Sequence, residues 1–399
     1  MSRGNSAAGE IPIDERPGGW YFIISKLNLG LGQQMPEQRK GQVMAKVIVG
    51  MSGGVDSAVT ALLLKEAGYE VEGVTLRTWD TEETEVSRCC EIDGARETAE
   101  KLGIPFHVLN VSSAFKKNVT EPFIREYLRG RTPNPCVFCN RAVKWEWLIY
   151  MANVLKADYV ATGHYAEIRK LPNGRYTVRK AAYAPKDQTY MLYRLSQEQL
   201  SRTIMPLGTY DKNDVRKIAA DAGLPSASSP DSQEICFVTE GHYADYIREH
   251  AKDPVPGAGN YVDETGQILG QHKGIIHYTI GQRKGLGLAM GHPVYVQEVR
   301  PGTNEVVIGE EDGLFHTEIL CEDLNFLSIP ELSEGEKIRA QVKIRYAHKG
   351  EMAELEMQPD GRLKLSFEAP VRAASPGQSA VFYDEDDCLI GGGVIAEVR

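Results

Sequence analysis

The chain is poor in cysteine, short of positive charge and without a long apolar run. Seven cysteines in 399 residues are too few for a disulfide scaffold. That scarcity points to a reducing cytoplasm, where thiols are catalytic, metal-binding or simply buried. Lys and Arg number 45 against 55 Asp and Glu, a formal net charge of −10, which excludes indiscriminate attraction to nucleic acid. No apolar stretch reaches the ~20 residues of a membrane span, so no membrane role is expected. The apolar patch at 20–24 follows Glu10, Asp14 and Glu15, an order that fits neither a secretion signal nor a transit peptide. Internal repeats and low-complexity tracts are missing too.

What is present is an ordinary globular composition, 42% hydrophobic and 25% charged, at a length for roughly two to three domains. Residues 1–43 are rich in Gly, Ser, Gln and Pro without a clear period and are expected to be a disordered extension. From 44 onward, strand-like runs (46–49, 71–76, 104–111, 158–162) alternate with helical ones (94–102, 112–128, 140–155). Such alternation predicts a doubly wound parallel sheet with ligands at the strands' carboxyl ends. Asn173-Gly174 between two short runs predicts a hairpin, and 211–222 a helix. Short β segments punctuated by Gly and Pro follow at 241–313, then β-branched runs at 314–399 that suggest a small barrel or sandwich. Two local stretches run against the overall charge. Residues 115–156 hold eight basic residues against three acidic, and 169–194 hold seven against Asp187 alone, which raises the prospect of a polyanion partner.

The most informative segment is Gly50-Met51-Ser52-Gly53-Gly54-Val55-Asp56-Ser57. It joins a short apolar strand to a helix whose Val55, Val59, Leu62 and Leu63 share one face, with Gly68 as the stop. A strand that turns through glycines into a helix aims free N–H groups and the positive helix end at an anion. A Walker loop would close with Lys-Ser or Lys-Thr, and this one closes with Asp56-Ser57. Backbone N–H groups with the Ser52 and Ser57 hydroxyls are therefore expected to hold phosphate, and Asp56 a magnesium ion. The bland alternative is a tight βα turn that binds nothing. The loop resembles that of the PP-loop ATP pyrophosphatases, which cleave ATP between its α and β phosphates and leave AMP on a substrate.

A second segment, Arg131-Thr132-Pro133-Asn134-Pro135-Cys136-Val137-Phe138-Cys139-Asn140-Arg141, is a stiff loop. Asn134 or Asn140 can cap the helix that follows, and the cysteines lie near its positive end. Such a position with Arg141 and Lys144 nearby favours thiolate. Zinc half-site, redox pair and packed cysteines all stay open for a lone CxxC, with zinc weakened because no second CxxC or His pair completes the site. Cys89-Cys90 is expected to be structural. Cys236 alone reads as a small buried hydrophobe.

Taken together, the loop, the Pro-Cys-x-x-Cys segment and Cys236 resemble the bacterial tRNA-specific 2-thiouridylase (MnmA) family over nearly the whole of 44–399. Further matches are Ala161-Thr162-Gly163-His164-Tyr165, Lys186-Asp187-Gln188-Thr189-Tyr190, Tyr278-Thr279-Ile280-Gly281-Gln282-Arg283-Lys284-Gly285-Leu286-Gly287, Arg345-Tyr346 and Ser375-Pro376-Gly377-Gln378. The resemblance implies an α/β fold: a PP-loop catalytic domain at 44–240, a central tRNA-binding domain at 241–313 and a C-terminal β-barrel at 314–399. It also implies an ATP-dependent sulfurtransferase that makes 2-thiouridine at the tRNA wobble position. Cys139 then matches the catalytic nucleophile and Cys236 the persulfide carrier, and Cys136 can form a disulfide with Cys139. Gly50 to Ser57, Leu76 and Gly163 match ATP contacts. Asn134, Pro135 and Cys136 match contacts to a flipped base, and His164, Lys186, Asp187, Gln188, Arg345, Tyr346 and Gln378 match tRNA contacts. ATP with Mg2+, tRNA and a sulfur-donor protein (a cysteine desulfurase or a relay protein) are the implied cofactors and partners, acting on a monomer. Many family members carry Asp where this chain has Cys136, so the role of Cys136 stays open, as does an iron–sulfur cluster on Cys136, Cys139 and Cys236. Two rival readings remain: a C–N-forming ATP pyrophosphatase, which gives the cysteines no task, and an RNA-binding module with a relic loop.

Overall fold

The computed structural model describes residues 44–79, 92–228, 235–238 and 241–399. The expected extension at 1–43 and the pair Cys89-Cys90 lie outside the described residues.

The first domain is built on five parallel strands, β1 (Lys46–Gly50), β2 (Glu70–Arg77), β3 (Phe106–Asn110), β4 (Tyr159–Ala161) and the short Thr203–Ile204, in the order β3-β2-β1-β4-Thr203–Ile204. The chain winds outward from β1 to β3 and then crosses back to β4, so the winding reverses between β1 and β4. In such sheets the crevice at that reversal is where ligands collect. Helix α1 (Val55–Glu66) follows β1 and buries Val55, Val59, Leu62 and Leu63 as their spacing predicts; Gly68, at φ +86°, turns the chain away. The helical run 112–128 is Ser112–Phe115, a π-type stretch Lys116–Thr120, and Glu121–Leu128. The next helix starts at Pro135, five residues before the expected start. It comprises Pro135–Cys139, a second π-type stretch Asn140–Trp145, and Glu146–Val154. Proline at a helix's first position gives up only an N–H that is unpartnered anyway, and Asn134 accepts from the Cys136 N–H at 3.1 Å as the cap. Asn140 is therefore not a cap: it lies inside the helix and donates to the Met191 carbonyl.

The predicted hairpin is present as β5 (Ala166–Lys170) and β6 (Tyr176–Lys180), turning at Asn173 and Gly174. β7 is the Thr203–Ile204 strand. The central domain is a four-stranded sheet, β8 (Gly259–Val262), β9 (Ile268–His272), β10 (Tyr295–Arg300) and β11 (Glu305–Gly309). Six strands then close into a barrel: β12 (Phe315–Phe326), β13 (Lys337–Lys343), β14 (Glu351–Met357), β15 (Leu363–Arg372), β16 (Ser379–Tyr383) and β17 (Leu389–Val398). Its inward positions, among them Ile319, Val342, Leu355, Leu365 and Phe382, form their own buried core.

Several basic residues that suggested a polyanion partner have a different task. Arg175 donates to the Leu327 and Phe326 carbonyls, Lys180 pairs with Asp387, and Arg194 with Asp323, all in the barrel. In the first stretch Arg131 pairs with Glu126 and with Glu322 of the barrel. These cations join the hairpin and the first domain to the barrel, so local charge balance overstated the surface left for a polyanion.

Candidate active site

The glycine loop lies where the winding reverses. The Met51 N–H donates to the Val74 carbonyl and the Thr75 hydroxyl to the Met51 carbonyl, which anchors the loop to β2. Gly53 takes φ +80°, a conformation that costs other residues dearly. Gly54 is the N-cap of α1, and no side chain caps the helix. The first turn of α1 is thus left to an anion. Ser52 is exposed, whereas the buried Ser57 hydroxyl donates to the Gly54 carbonyl at 3.0 Å and accepts from the Ser52 N–H. Ser57 therefore helps to close the loop on itself, and its hydroxyl also lies 3.4 Å from that of Ser52. Leu76 is buried near the end of β2.

Gly163, just past β4, forms the opposite wall. A Cβ there would stand 2.7 Å from the Asp56 carbonyl carbon and 2.8 Å from the Ser57 nitrogen. Only glycine lets the end of β4 touch the start of α1 so closely.

Asp56 is engaged within the protein. Lys212 Nζ reaches both of its carboxylate oxygens, at 2.7 and 2.8 Å, and the Tyr165 hydroxyl donates to one of them at 2.8 Å. These hydrogen bonds hold the Asp56 carboxylate between Lys212 and Tyr165 in this structure. Lys212 is only 7% exposed. Asp211 holds it there by capping the helix Lys212–Asp221, accepting from the Asn213 and Asp214 N–H groups. A cation in a helix's first turn opposes the helix dipole, and that unfavourable placement was a signal in the sequence that went unread.

The cysteines gather at the same edge of the sheet. The helix that follows Asn134 returns the chain to β4, which runs parallel to β1, so its first turn lies at the carboxyl edge. Leu148 farther along packs over Gly50, and Trp145 lies 5.3 Å from the His164 ring. Cys136 is exposed and Cys139 buried. Cys236 is half-buried beside Phe237, whose ring meets Phe123 at 5.0 Å, Phe115 at 6.0 Å and Trp79 at 6.2 Å. Trp79 stands two residues past β2, so Phe237, the neighbour of Cys236, packs near the carboxyl end of the strand that anchors the loop. Among the described residues no group of three His, Cys, Asp or Glu stands ready to hold a metal ion.

Three family profiles match the chain: a tRNA methyl transferase HUP domain over residues 45–240, a tRNA methyl transferase PRC-barrel domain over 244–310 and an aminomethyltransferase β-barrel domain over 316–395. The tRNA-specific 2-thiouridylase MnmA of Lachnoclostridium phytofermentans is 51% identical over 359 residues, covering 88% of this chain and 99% of that protein. Its Clostridium perfringens counterpart is 49% identical, covering 88% and 98%. The chain belongs to the MnmA family of tRNA-specific 2-thiouridylases. A Caldanaerobacter subterraneus member, MnmA 2, is 48% identical and covers 88% of this chain and 97% of its own length.

The positions that resemble the MnmA family's tRNA contacts fall into two groups. Tyr346 of the barrel donates to the Asp187 carbonyl at 3.0 Å, which sets Arg345 and Tyr346 beside Lys186, Asp187 and Gln188. Within that group Asp187 faces inward: it is 7% exposed, and its carboxylate accepts from Thr189 and from the Ala181 N–H. Gln188 accepts from the Tyr165 N–H. Both side chains are hydrogen-bonded within the protein, while Tyr346 is exposed and Lys186 half-buried. His164 accepts or donates at Nδ1 with the Thr162 hydroxyl at 2.8 Å. Burial first, then the Lys144 charge, pushes its pKa down to about 3. Its ring is neutral at physiological pH. Gln378 forms the other group, donating to the Thr132 carbonyl in the loop before Cys136. Among the described residues no helix is long and apolar enough to cross a membrane.

Proposed function

We propose that the chain is an ATP-dependent sulfurtransferase that converts the wobble uridine of tRNA to 2-thiouridine. The observation that supports this reading most is the packing of Phe237, next to Cys236, on Trp79 just past β2, the strand to which the glycine loop is anchored. An anion cradle and a candidate sulfur carrier are then both tied to the carboxyl end of one strand. A C–N-forming ATP pyrophosphatase would leave that convergence without use.

In this reading Gly50, Met51, Ser52, Gly53, Gly54, Val55, Asp56 and Ser57 enclose the ATP phosphates, with Leu76 and Gly163 as walls. Lys212 supplies the cation that the loop itself lacks, and a magnesium ion bound with ATP would neutralise phosphate charge, with Asp56 the carboxylate that would hold it once Lys212 turns to the phosphates. Asn134, Pro135 and Cys136 meet the flipped uracil. The uracil O2 attacks the α-phosphorus and pyrophosphate leaves; O2 is now part of a good leaving group. The outer sulfur of a Cys236 persulfide attacks C2, and AMP departs with the oxygen. Cys139 thiolate then attacks the Cys236 sulfur, which frees the thiocarbonyl and leaves a Cys139–Cys236 disulfide for two-electron reduction. The working unit is one cytoplasmic chain supplied by a cysteine desulfurase or a sulfur relay protein.

The test is nucleoside analysis of tRNA from cells with and without the protein, and with Cys139→Ser or Cys236→Ser. Each substitution is expected to cut 2-thiouridine by ~10³-fold or more. Unchanged 2-thiouridine in either variant defeats the sulfur-transfer reading.

A further inference from the structure

The catalytic loop is held from the barrel, by a residue whose resemblance points only to tRNA. The Thr132 N–H donates to the Pro376 carbonyl and the Gln378 Nε2 donates to the Thr132 carbonyl, both at 2.9 Å. Both backbone polar groups of one loop residue are thus satisfied by another domain, a strong restraint on a segment without secondary structure. The donor is itself rigid. Gly377 donates to the Ile395 carbonyl and Ile395 to the Gln378 carbonyl, which fastens the turn to β17. Gly377 takes φ +90°, and a Cβ there would come within 3.0 Å of Arg131 Cβ and the Thr132 nitrogen. The two surfaces meet with no room for a methyl group.

Little slack separates this clamp from the chemistry. Thr132 is followed by Pro133, Asn134 and Pro135, and each proline fixes its φ. Asn134 then caps the turn that carries Cys136 and Cys139. A displacement at Thr132 passes along this stiff link rather than being absorbed. We propose that Gln378 is a positioning residue: by donating to Thr132 it sets the geometry of Cys136 and Cys139, so that the barrel completes the active site. This rests on the sulfur-transfer reading for its consequence in catalysis, although the clamp acts on the thiols without any substrate.

Two substitutions in the full chain test it. Gln378→Met removes the donor, and Gln378→Glu keeps size and polarity but sets an acceptor against a carbonyl. Iodoacetamide alkylation of Cys139, resolved by site with mass spectrometry in the absence of ATP and tRNA, is expected to speed up about tenfold in both variants, the weight of one lost hydrogen bond. The single-turnover rate of 2-thiouridine formation at saturating tRNA is expected to fall about tenfold, with tRNA Kd changed less than about twofold. Unchanged Cys139 alkylation in a folded variant overturns the proposal. A weaker tRNA Kd with the saturated rate intact also overturns it and leaves Gln378 as a tRNA contact alone. Should the Met variant not fold, the Glu variant decides. A wild-type chain that forms no 2-thiouridine would defeat the functional reading, while the alkylation comparison would still judge the clamp.

Discussion

Lys212 Nζ bridges both carboxylate oxygens of Asp56, at 2.7 and 2.8 Å, across 156 residues of sequence. The pair gives a cradle that has no lysine of its own a buried cation at its mouth. A lysine that is 7% exposed and held by one carboxylate is poised to exchange that partner for a phosphate. Lys212→Ala is expected to weaken ATP binding about 10- to 100-fold, the range for one charged hydrogen bond. Lys212→Arg should recover part of the loss. Calorimetric titration with ATP checks both, and equal affinity in wild type and Lys212→Ala would remove Lys212 from the site.

Gly163→Ala places a methyl group 2.7 Å from the backbone of Asp56. Backbone cannot move aside as a flexible side chain does, so the start of α1 must shift. The expected costs are about 1–3 kcal/mol of stability and a loss of nucleotide binding larger than the loss of stability explains. Denaturant unfolding together with ATP titration separates the two.

Phe237 is the anchor of the Cys236 segment. Its ring contacts Trp79, Phe115, Phe123 and Tyr246. Phe237→Ala removes packing worth about 3–5 kcal/mol, and the segment is expected to leave its dock. Cys236 alkylation should then accelerate and 2-thiouridine formation fall, while ATP affinity stays within about twofold. If Cys236 alkylation keeps its wild-type rate, Phe237 does not hold the segment.

Two histidines make stability depend on acid. Burial, with Lys144, sets His164 at about 3, and burial, with Lys273 and Arg248, sets His277 at about 4. Arg248 donates to the His277 Nε2 at 2.6 Å, which suits only an unprotonated nitrogen. Both folded values lie below the unfolded value of about 6.5, so between these limits the unfolded chain binds more protons. Their contribution is complete above about pH 6.5 and is lost as pH falls toward 4 and then 3. Unfolding free energy should therefore drop on acidification below pH 6.5, and His277→Asn should flatten the slope. Ring proton shifts of either histidine that titrate between pH 8 and 6 would contradict this.

Much of this was legible in the sequence because the informative contacts are local. The run from Lys46 through the glycines to Gly68 carries its own strand, turn, helix and stop. Asn134 and Cys136 are likewise neighbours in sequence. Contacts between distant segments were not legible. Lys212 finds Asp56, and Gln378 finds Thr132 across 246 residues, only after the sheet and barrel exist. Arg175 was read as surface charge because its acceptors are backbone carbonyls, which every residue has and no sequence marks. Asp187 reads as polar and exposed, yet Thr189 and the Ala181 N–H give it a complete set of partners indoors.

The π-type stretch Asn140–Trp145 begins at the residue after Cys139. A π-type turn holds one residue more than an α-helix would, and each residue turns a helix by about 100°. That extra residue sets the phase between the thiol end of the helix and the end that buries Trp145 and packs Leu148 over Gly50. Deleting Ala142 would remove no more side chain than one methyl group and still rotate the thiol end of the helix against the end packed on Gly50. Here the length of a helix is as specific as the identity of its side chains.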